Sequence, residues 1–353
     1  MARIMYGVCS EGMGHATRSE PILQQLTKKH EVRIFSGSRS YHYLDRLFKD
    51  VNRIHGLHIR YKKNRVSKTR TVLENLIRAP ALYKDFKRIL KEHDSFKPDI
   101  IISDYEIITS YCALLRNTPL ISLDNQHIIR HKVELPRGSL QEYIETKIVN
   151  RINMPTATRY IVASFFRPER MRSRTKVIPP IIREKILEEK PANTADNRRT
   201  LVYQTSDTNL KLLKDLKKID QRFIIFGFNK NKRVKNLEFR RFDEKEFIRA
   251  LCECKAVITN GGFTLITEAI QLRKPVLSIP VKNQFEQMLN AHYIQKLGYG
   301  MDVRESSRDK IAEFMKRIPE YEKNLRKRVQ AGNEEAVREI EEFINSTSSS
   351  ISS

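Results

Sequence analysis

Two doubly wound α/β domains with parallel, Rossmann-like sheets, facing each other across a cleft, are the fold this sequence predicts. Three observations carry the expectation. The 353 residues suffice for two domains of ordinary size, each with its own core. Short apolar runs of strand length alternate with helical stretches in both halves, the pattern of parallel sheets covered by helices. A stiff stretch from Thr175 to Pro179-Pro180 separates the halves and suits a linker. The expected division is 1–180 for the first domain and 181–332 for the second, with a serine-rich tail at 346–353 that lacks the composition for order.

In chain order, Arg3 to Cys9 reads as a buried strand, Glu11-Gly-Met-Gly-His15 as the turn after it, and Ala16 to Lys29 as a helix. Glu31 to Ser36 completes a β-α-β unit. Gly12 and Gly14 are not followed by the third glycine of a dinucleotide fingerprint, because Thr17 stands there, so no NAD cofactor is expected. His15 falls at the carboxyl end of the first strand, where open α/β sheets place their ligands. Arg53 to Arg60 reads as extended and Lys62 to Arg70 as a basic loop. Thr71 to His93 is helical, with Leu73, Leu76, Ile77, Tyr83, Phe86 and Leu90 on one face and Pro80 breaking or kinking it. That pairing of basic loop and amphipathic helix is either a membrane-surface patch or a core-facing helix with a solvated basic back.

Pro98 to Asp104 is a central strand ending in an acid, and Pro119 to Asp124 repeats the pattern before Asn125-Gln-His127. His15, Asp104, Asp124 and His127 thus gather along one rim of the sheet. A histidine beside an aspartate is what general-base chemistry needs, since the carboxylate fixes the tautomer and stabilises the imidazolium. Asp104 would otherwise cap the following helix. Arg159 to Ser164 is another strand.

The second half opens with the strand Thr200 to Gln204, followed by Thr205, Ser206 and Asp207, and continues with strands at Arg222 to Gly227 and Leu237 to Phe242. Its most informative stretch is Ile258-Thr-Asn-Gly-Gly-Phe-Thr-Leu-Ile-Thr-Glu268. A strand end, a turn at Asn260-Gly261-Gly262 and a helix from Phe263 would point unpaired N–H groups and a positive dipole end at the turn, which suits a phosphate or diphosphate. Glu268 lies one helical turn beyond Thr264 on the same face, placed to accept ribose hydroxyls. Pro275 to Pro280 is a further strand, and Gln284 to Ala291 opens the next helix. Arg308 to Phe343 is helical and charged, interrupted by Pro319 and Gly332.

The net charge is +24. Residues 1–180 hold 33 Lys and Arg against 17 Asp and Glu, an excess of 16; the remainder holds 33 against 25. A field of this sign favours nucleic acid, acidic lipid surfaces or phosphorylated substrates. Nucleic acid is the least favoured, because no aromatics interleave with the basic stretch and no nucleic-acid motif appears. Met1 leads directly into a strand pattern, so no signal peptide is expected. No apolar run approaches the roughly 18 residues of a membrane span. Cys9, Cys112, Cys252 and Cys254 lack metal-ligand spacing and read as reduced thiols. A cytoplasmic location is expected, with peripheral contact to the inner face of a membrane.

The motifs at 7–18 and 260–291 resemble those of the two-domain (GT-B type) nucleotide-sugar glycosyltransferases. The likeness is strongest to the group that contains the plant and animal UDP-glycosyltransferases and the N-acetylglucosaminyltransferase of peptidoglycan synthesis. The donor-site motif is represented by Gly261, Gly262, Thr264 and Glu268, then Glu286, Gln287, Asn290 and Ala291. The resemblance implies diphosphate contacts at Gly262 and Thr264, a ribose contact at Glu268 and hexose contacts at Glu286 and Gln287. It also implies donor phosphates near Ser206, base packing at Phe242, and a last helix, 333–345, that crosses back to the first domain. On the acceptor side it matches His15 to the base that deprotonates the acceptor hydroxyl and Asp104 to its partner, with Gly12, Gly14, Asp124 and His127 nearby. Asn260 stands where many plant members have a histidine, and Glu286 replaces the commoner aspartate.

The expected function is therefore inverting transfer of a hexose-type sugar from a nucleotide diphosphate sugar, UDP first among them, to an acceptor hydroxyl that is lipid-linked, anionic or part of a glycan. No cofactor is expected, and the absence of Asp-x-Asp speaks against a metal clamp. Two rivals stay open: a nucleotide-sugar 2-epimerase, for which Asp124 and His127 would supply further acid–base groups, and a non-enzymatic nucleic-acid binder.

Overall fold

A computed structural model describes residues 1–60, 65–189, 199–205, 209–326 and 331–351, with side chains described to residue 347. The first domain runs β1 (Arg3–Val8), α1 (Met13–Leu26), β2 (Glu31–Ser36), α2 (Ser38–Leu44), β3 (Val51–Arg53), α3 (Lys68–Phe96), β4 (Ile100–Asp104), α4 (Ile107–Arg116), β5 (Leu120–Asp124), α5 (Leu140–Asn153), β6 (Arg159–Ala163) and β7 (Thr175–Ile178). A 3-10 turn at Gln126–Arg130 joins β5 to α5. The strands form one parallel sheet in the order β3-β2-β1-β4-β5-β6-β7. Strands β4 and β5 are buried along their whole length, as expected of near-continuous apolar runs covered on both faces.

The second domain runs α6 (Glu184–Leu187), β8 (Arg199–Tyr203), α7 (Leu210–Leu216), β9 (Arg222–Phe226), β10 (Lys232–Val234), β11 (Leu237–Phe239), α8 (Glu244–Glu253), β12 (Ala256–Thr259), α9 (Phe263–Gln271), β13 (Val276–Ser278), α10 (Phe285–Lys296), β14 (Gly300–Asp302) and α11 (Arg308–Leu325). Its sheet has the order β10-β11-β9-β8-β12-β13-β14, parallel except where β10 meets β11. The strand order reverses direction at β1/β4 in one sheet and at β8/β12 in the other. These are the switch points at which doubly wound sheets leave a crevice at their carboxyl ends.

The chain passes between the sheets twice, and the two passes are zipped together. Gly332 N donates to Pro180 O at 2.8 Å, while the Asn333 side chain accepts from Ile182 N at 2.9 Å and donates to Ile182 O at 2.7 Å. The second pass delivers α12 (Asn333–Ile351) to the first domain. There Ala336, Ile340 and Ile344 are buried, and Glu339 pairs with Arg159 and Lys176 at 2.7 and 3.2 Å.

Several local expectations change. Helix α1 begins at Met13, two residues before His15, because Gly12 makes the turn alone at φ +77°. Thr175–Ile178 is an edge strand, so the linker begins after it. Pro80 neither breaks nor ends α3, which runs unbroken from Lys68 to Phe96. The missing N–H is offset by anchors on both sides: Asn75 donates to His58 O at 2.8 Å, and Asp85, Ile89 and Phe96 are buried. Pro319 likewise sits inside α11. The serine-rich end expected to lack order continues α12 to Ile351, where Ser346 and Thr347 hydroxyls return to the Phe343 carbonyl at 2.8 and 3.2 Å. All four cysteines are free thiols.

The crossing makes one glycine indispensable. A Cβ at Gly332 would lie 2.1 Å from Pro179 O, a backbone atom that cannot rotate away. Gly332→Ala is expected to cost about 1–3 kcal/mol, the usual range for overpacking, read as a lower urea midpoint.

Candidate active site

Asp104 ends β4 with a carboxylate only 1% exposed. It does not cap the next helix; Glu106 does, accepting from Ile108 N and Thr109 N at 3.0 and 2.7 Å. Asp104 is instead satisfied from α1. His15 Nδ1 lies 2.9 Å from Oδ1, Arg18 Nε donates to Oδ2 at 2.8 Å with its Nη2 on Oδ1, and Ser19 donates to Oδ2 at 3.0 Å. Burial alone would raise the Asp104 pKa, but Arg18 and His15 hold it below the usual carboxylate range.

An ionised carboxylate only accepts hydrogen bonds, so His15 donates to it from Nδ1, which Arg18 Nη2 also approaches at 2.9 Å, and the remaining ring nitrogen is Nε2. Gln126 Nε2 lies 3.4 Å from that atom. Burial and the Arg18 cation push the His15 pKa down, yet Asp104 and the Cys9 sulfur outweigh them and lift it to about 10. Tyr105, held at φ +56°, lays its ring along the imidazole at 6.3 Å between centroids.

The second domain closes on this group. Thr264 Oγ1 donates to Gly14 O at 3.2 Å, and a Cβ on Gly14 would come within 2.8 Å of that oxygen. Asn125 Nδ2 donates to Glu286 Oε1 at 3.0 Å, and Gln126 Nε2 approaches Oε2 at 3.4 Å. Helices α1 and α9 therefore meet at their N-termini. Neither N-cap, Gly12 or Gly262, supplies a side-chain hydrogen bond. Two positive dipole ends converge, and neither helix carries an acidic residue in its first turn. Gly261 makes the β12–α9 turn at φ +100°, hemmed in by Ser278 and Gln287, whereas a Cβ on Gly262 would meet nothing within 4 Å.

Other expected donor residues are placed differently. Glu268 is not an open carboxylate: Arg183, in the linker, holds both oxygens at 2.6 and 2.8 Å and reaches Glu244 at 3.1 Å. A buried carboxylate needs such a counter-ion. Gln287 Oε1 accepts from Val281 N at 2.9 Å, and Asn290 Nδ2 donates to Gly261 O at 3.0 Å, so both brace the turns. Asn260 accepts from Thr205 N at 2.8 Å and donates to Ile279 O at 3.2 Å, joining three strand ends. Phe242 is half exposed, its ring 5.4 Å from Phe247. Ser206 lies outside the described residues. Asp124 and His127 pair with each other at 2.7 Å. Burial opposes it, but His127 and Ser122 draw the Asp124 carboxyl down to about 2. His127 lines a recess beside α5 with Asn150, while the Asp124 charge acts on Arg18. Arg18 and Arg183 are the charged groups that inspection of the sequence passed over. Among the described residues, no cluster of three potential metal ligands occurs.

Comparison with known proteins decides the family. The model of glycosyl transferase family 1 matches residues 2–319. The chain belongs to that family. It is accordingly an enzyme that transfers a glycosyl group from a nucleotide sugar to an acceptor, and the nucleic-acid-binder reading falls. The UDP-N-acetylglucosamine–N-acetylmuramyl-(pentapeptide) pyrophosphoryl-undecaprenol N-acetylglucosamine transferase of Clostridium perfringens is 24% identical over 271 residues, 69% of each chain. An uncharacterized glycosyltransferase of Methanopyrus kandleri is 39% identical over 67 residues, only 18% of this chain and 20% of that one. Among solved structures, Phytolacca americana UGT2 superposes with a TM-score of 0.67 at 14% identity, covering 96% of this chain and 98% of its own. Acinetobacter baumannii MurG gives 0.63 at 15%, covering 97% and 100%. These likenesses establish the GT-B fold of this family 1 member.

The Asp104 network sets the titration of His15. Asp104→Asn removes the carboxylate's charge and leaves burial, the Cys9 sulfur and Arg18, so the imidazole midpoint is expected to fall from about 10. Titration of the His15 ring protons by NMR checks this.

Proposed function

We propose that this glycosyltransferase is inverting and metal-independent and uses a UDP-activated hexose. The observation that carries the reading is the convergence of the His15–Asp104 pair with two uncapped helix N-termini in one cleft. The Clostridium relative's name includes UDP-N-acetylglucosamine, and the Phytolacca structure was obtained with UDP-2-fluoro-glucose; both support UDP.

In this reading the diphosphate lies between the helix ends, beside Gly262, Thr264 and Gly14. Glu268 accepts ribose hydroxyls on the lone pairs that Arg183 leaves, Phe242 receives the base, and Glu286 meets sugar hydroxyls. The acceptor hydroxyl gives its proton to His15 Nε2 as its oxygen bonds to the anomeric carbon. The bond from that carbon to the diphosphate breaks, and the departing charge passes to the helix ends, with no metal needed. A single displacement inverts the centre. Asp104 makes His15 a strong proton acceptor, and the ring must be neutral to act, so the rate rises with pH through the His15 pKa.

We propose further that the acceptor is met at an anionic lipid surface. Leu73, Leu76 and Ile77 of α3 are 61–72% exposed. On α5, Leu140, Ile144, Ile148 and Ile152 recur every four residues and are likewise exposed. Lys68 and Glu145 tie the two helices together at 2.6 Å. Exposed apolar side chains on two adjoining helices, flanked by Arg65, Lys68, Arg70, Lys147 and Arg151, suit a lipid interface. No helix among the described residues is long and apolar enough to cross a membrane.

UDP or its sugars are expected to raise the melting temperature more than GDP or dTDP. His15→Ala should keep that shift while losing about 10²–10⁴-fold in turnover, with chelator leaving the native rate unchanged and NMR showing an inverted anomer. A wild-type rate in His15→Ala would overturn the assignment. For the lipid surface, Leu76→Glu/Ile77→Glu is expected to abolish flotation with phosphatidylglycerol vesicles without altering the UDP-induced shift. Flotation equal to the native protein's would overturn it.

A further inference from the structure

A cavity of about 270 Å³ lies between the 3-10 turn and α5. At about 30 Å³ per water, it holds far more than a structural water and approaches the roughly 300 Å³ of small-ligand clefts. Arg130, Lys147, Arg151 and Arg172 line it together with His127 and Asn150, and no carboxylate does. Some cations of this domain find acids: Lys132 pairs with Glu169 at 2.9 Å and Lys176 with Glu339 at 3.2 Å. Among the described residues, the four cations of the cavity have no such partner. Arg130 Nε is buried with no hydrogen-bond partner.

The wall is built and not merely charged. The Arg130 guanidinium sits 3.8 Å from the Tyr160 ring centroid. The backbone N–H of Arg172 donates to His131 Nδ1 at 3.0 Å. Asn150 is fixed by the Tyr105 hydroxyl at 2.7 Å and by its own bond to Gln126 O at 3.0 Å. Asp124 fixes His127. Four like charges around one recess repel each other unless an anion enters, and guanidinium forks match phosphate oxygens in pairs. The cavity also adjoins the active site: the rings of His15, Tyr105 and His127 follow one another at 6.3 and 6.2 Å.

We infer that this cavity binds the phosphate or diphosphate ester of the acceptor, anchoring it while a hydroxyl further along the molecule reaches past Tyr105 to His15. Only the word acceptor rests on the mechanism proposed above; the anion site stands without it.

The test is calorimetric titration with inorganic pyrophosphate, first on protein saturated with UDP, so that any donor diphosphate site is filled, and then without UDP. Lys147→Gln/Arg151→Gln changes two exposed side chains and spares the fold, Arg130→Gln/Arg172→Gln removes the other pair, and Lys310→Gln/Lys316→Gln on α11 is the control. The expected result is pyrophosphate binding by the native protein in the presence of UDP, weakened about tenfold or more in each cavity variant, as loss of charge-assisted hydrogen bonds implies, and unchanged in the control. Equal affinity in native and cavity variants, or no binding by the native protein, would overturn the site. If UDP itself gives no heat, the donor reading fails, while the comparison without UDP still decides the cavity. Vesicles containing phosphatidic acid then separate the sources. Flotation lost in Arg130→Gln/Arg172→Gln, whose residues lie outside the α3–α5 face, assigns a lipid-borne phosphate, and flotation retained there while pyrophosphate binding weakens assigns a soluble phosphate ester.

Discussion

Burial of the Asp104 carboxylate is the constraint on which the first domain's ligand face depends. A charge removed from water at the end of a central strand is tolerated only with counter-charges and donors close by. Those come from a single turn of α1, from His15, Arg18 and Ser19. Their demand fixes how α1 leaves β1, and hence where its N-terminus points. Arg18 then carries the constraint outward through Asn125 and Gln126, the two residues that meet Glu286 of the opposite domain. One buried acid thus orients the His15 imidazole, the helix end and the far wall of the cleft.

The opposite wall rests on an equivalent arrangement with the signs distributed otherwise. Glu268 is buried on α9 and takes its cation from the linker residue Arg183, which also contacts Glu244. Tyr43 of the first domain hydrogen-bonds to the same Glu244 at 3.1 Å and also to Glu20. Stacking of Phe166 on Tyr293 at 3.6 Å, with the rings 4° from parallel, adds an apolar seam on the far side. The cleft is held by charge at the hinge and by aromatic packing at the rim. At its centre α1 and α9 face each other, neither with an acidic residue in its first turn.

Much of this was legible in the sequence because it follows from strand ends. An apolar run closing on Asp104, or on Asn260-Gly261-Gly262, announces both the sheet and the place where ligands gather. Partners distant along the chain were not legible: Arg183 and Glu268 are 85 residues apart, and Arg18 looks like an ordinary polar helix residue until Asp104 is placed beside it. Gln287 and Asn290 carry side chains suited to sugar hydroxyls, yet the turns around them claim one polar atom of each, Gln287 Oε1 and Asn290 Nδ2. Pro80 does not end its helix, because the contacts on both sides of it override a rule of local geometry. The period of four at Leu140, Ile144, Ile148 and Ile152 was visible and marks α5, but a helix whose apolar stripe faces outward is not found by looking for a core.

Helix α12 gives the molecule an unusual order of assembly. Because it packs against α1 and the β6–β7 edge through Ala336, Ile340, Glu339 and Glu341, the domain that begins the chain is completed by residues synthesised after the whole second domain. During vectorial synthesis the amino-terminal sheet must wait with one flank uncovered while its neighbour acquires every strand it needs. The half made first is therefore the half finished last.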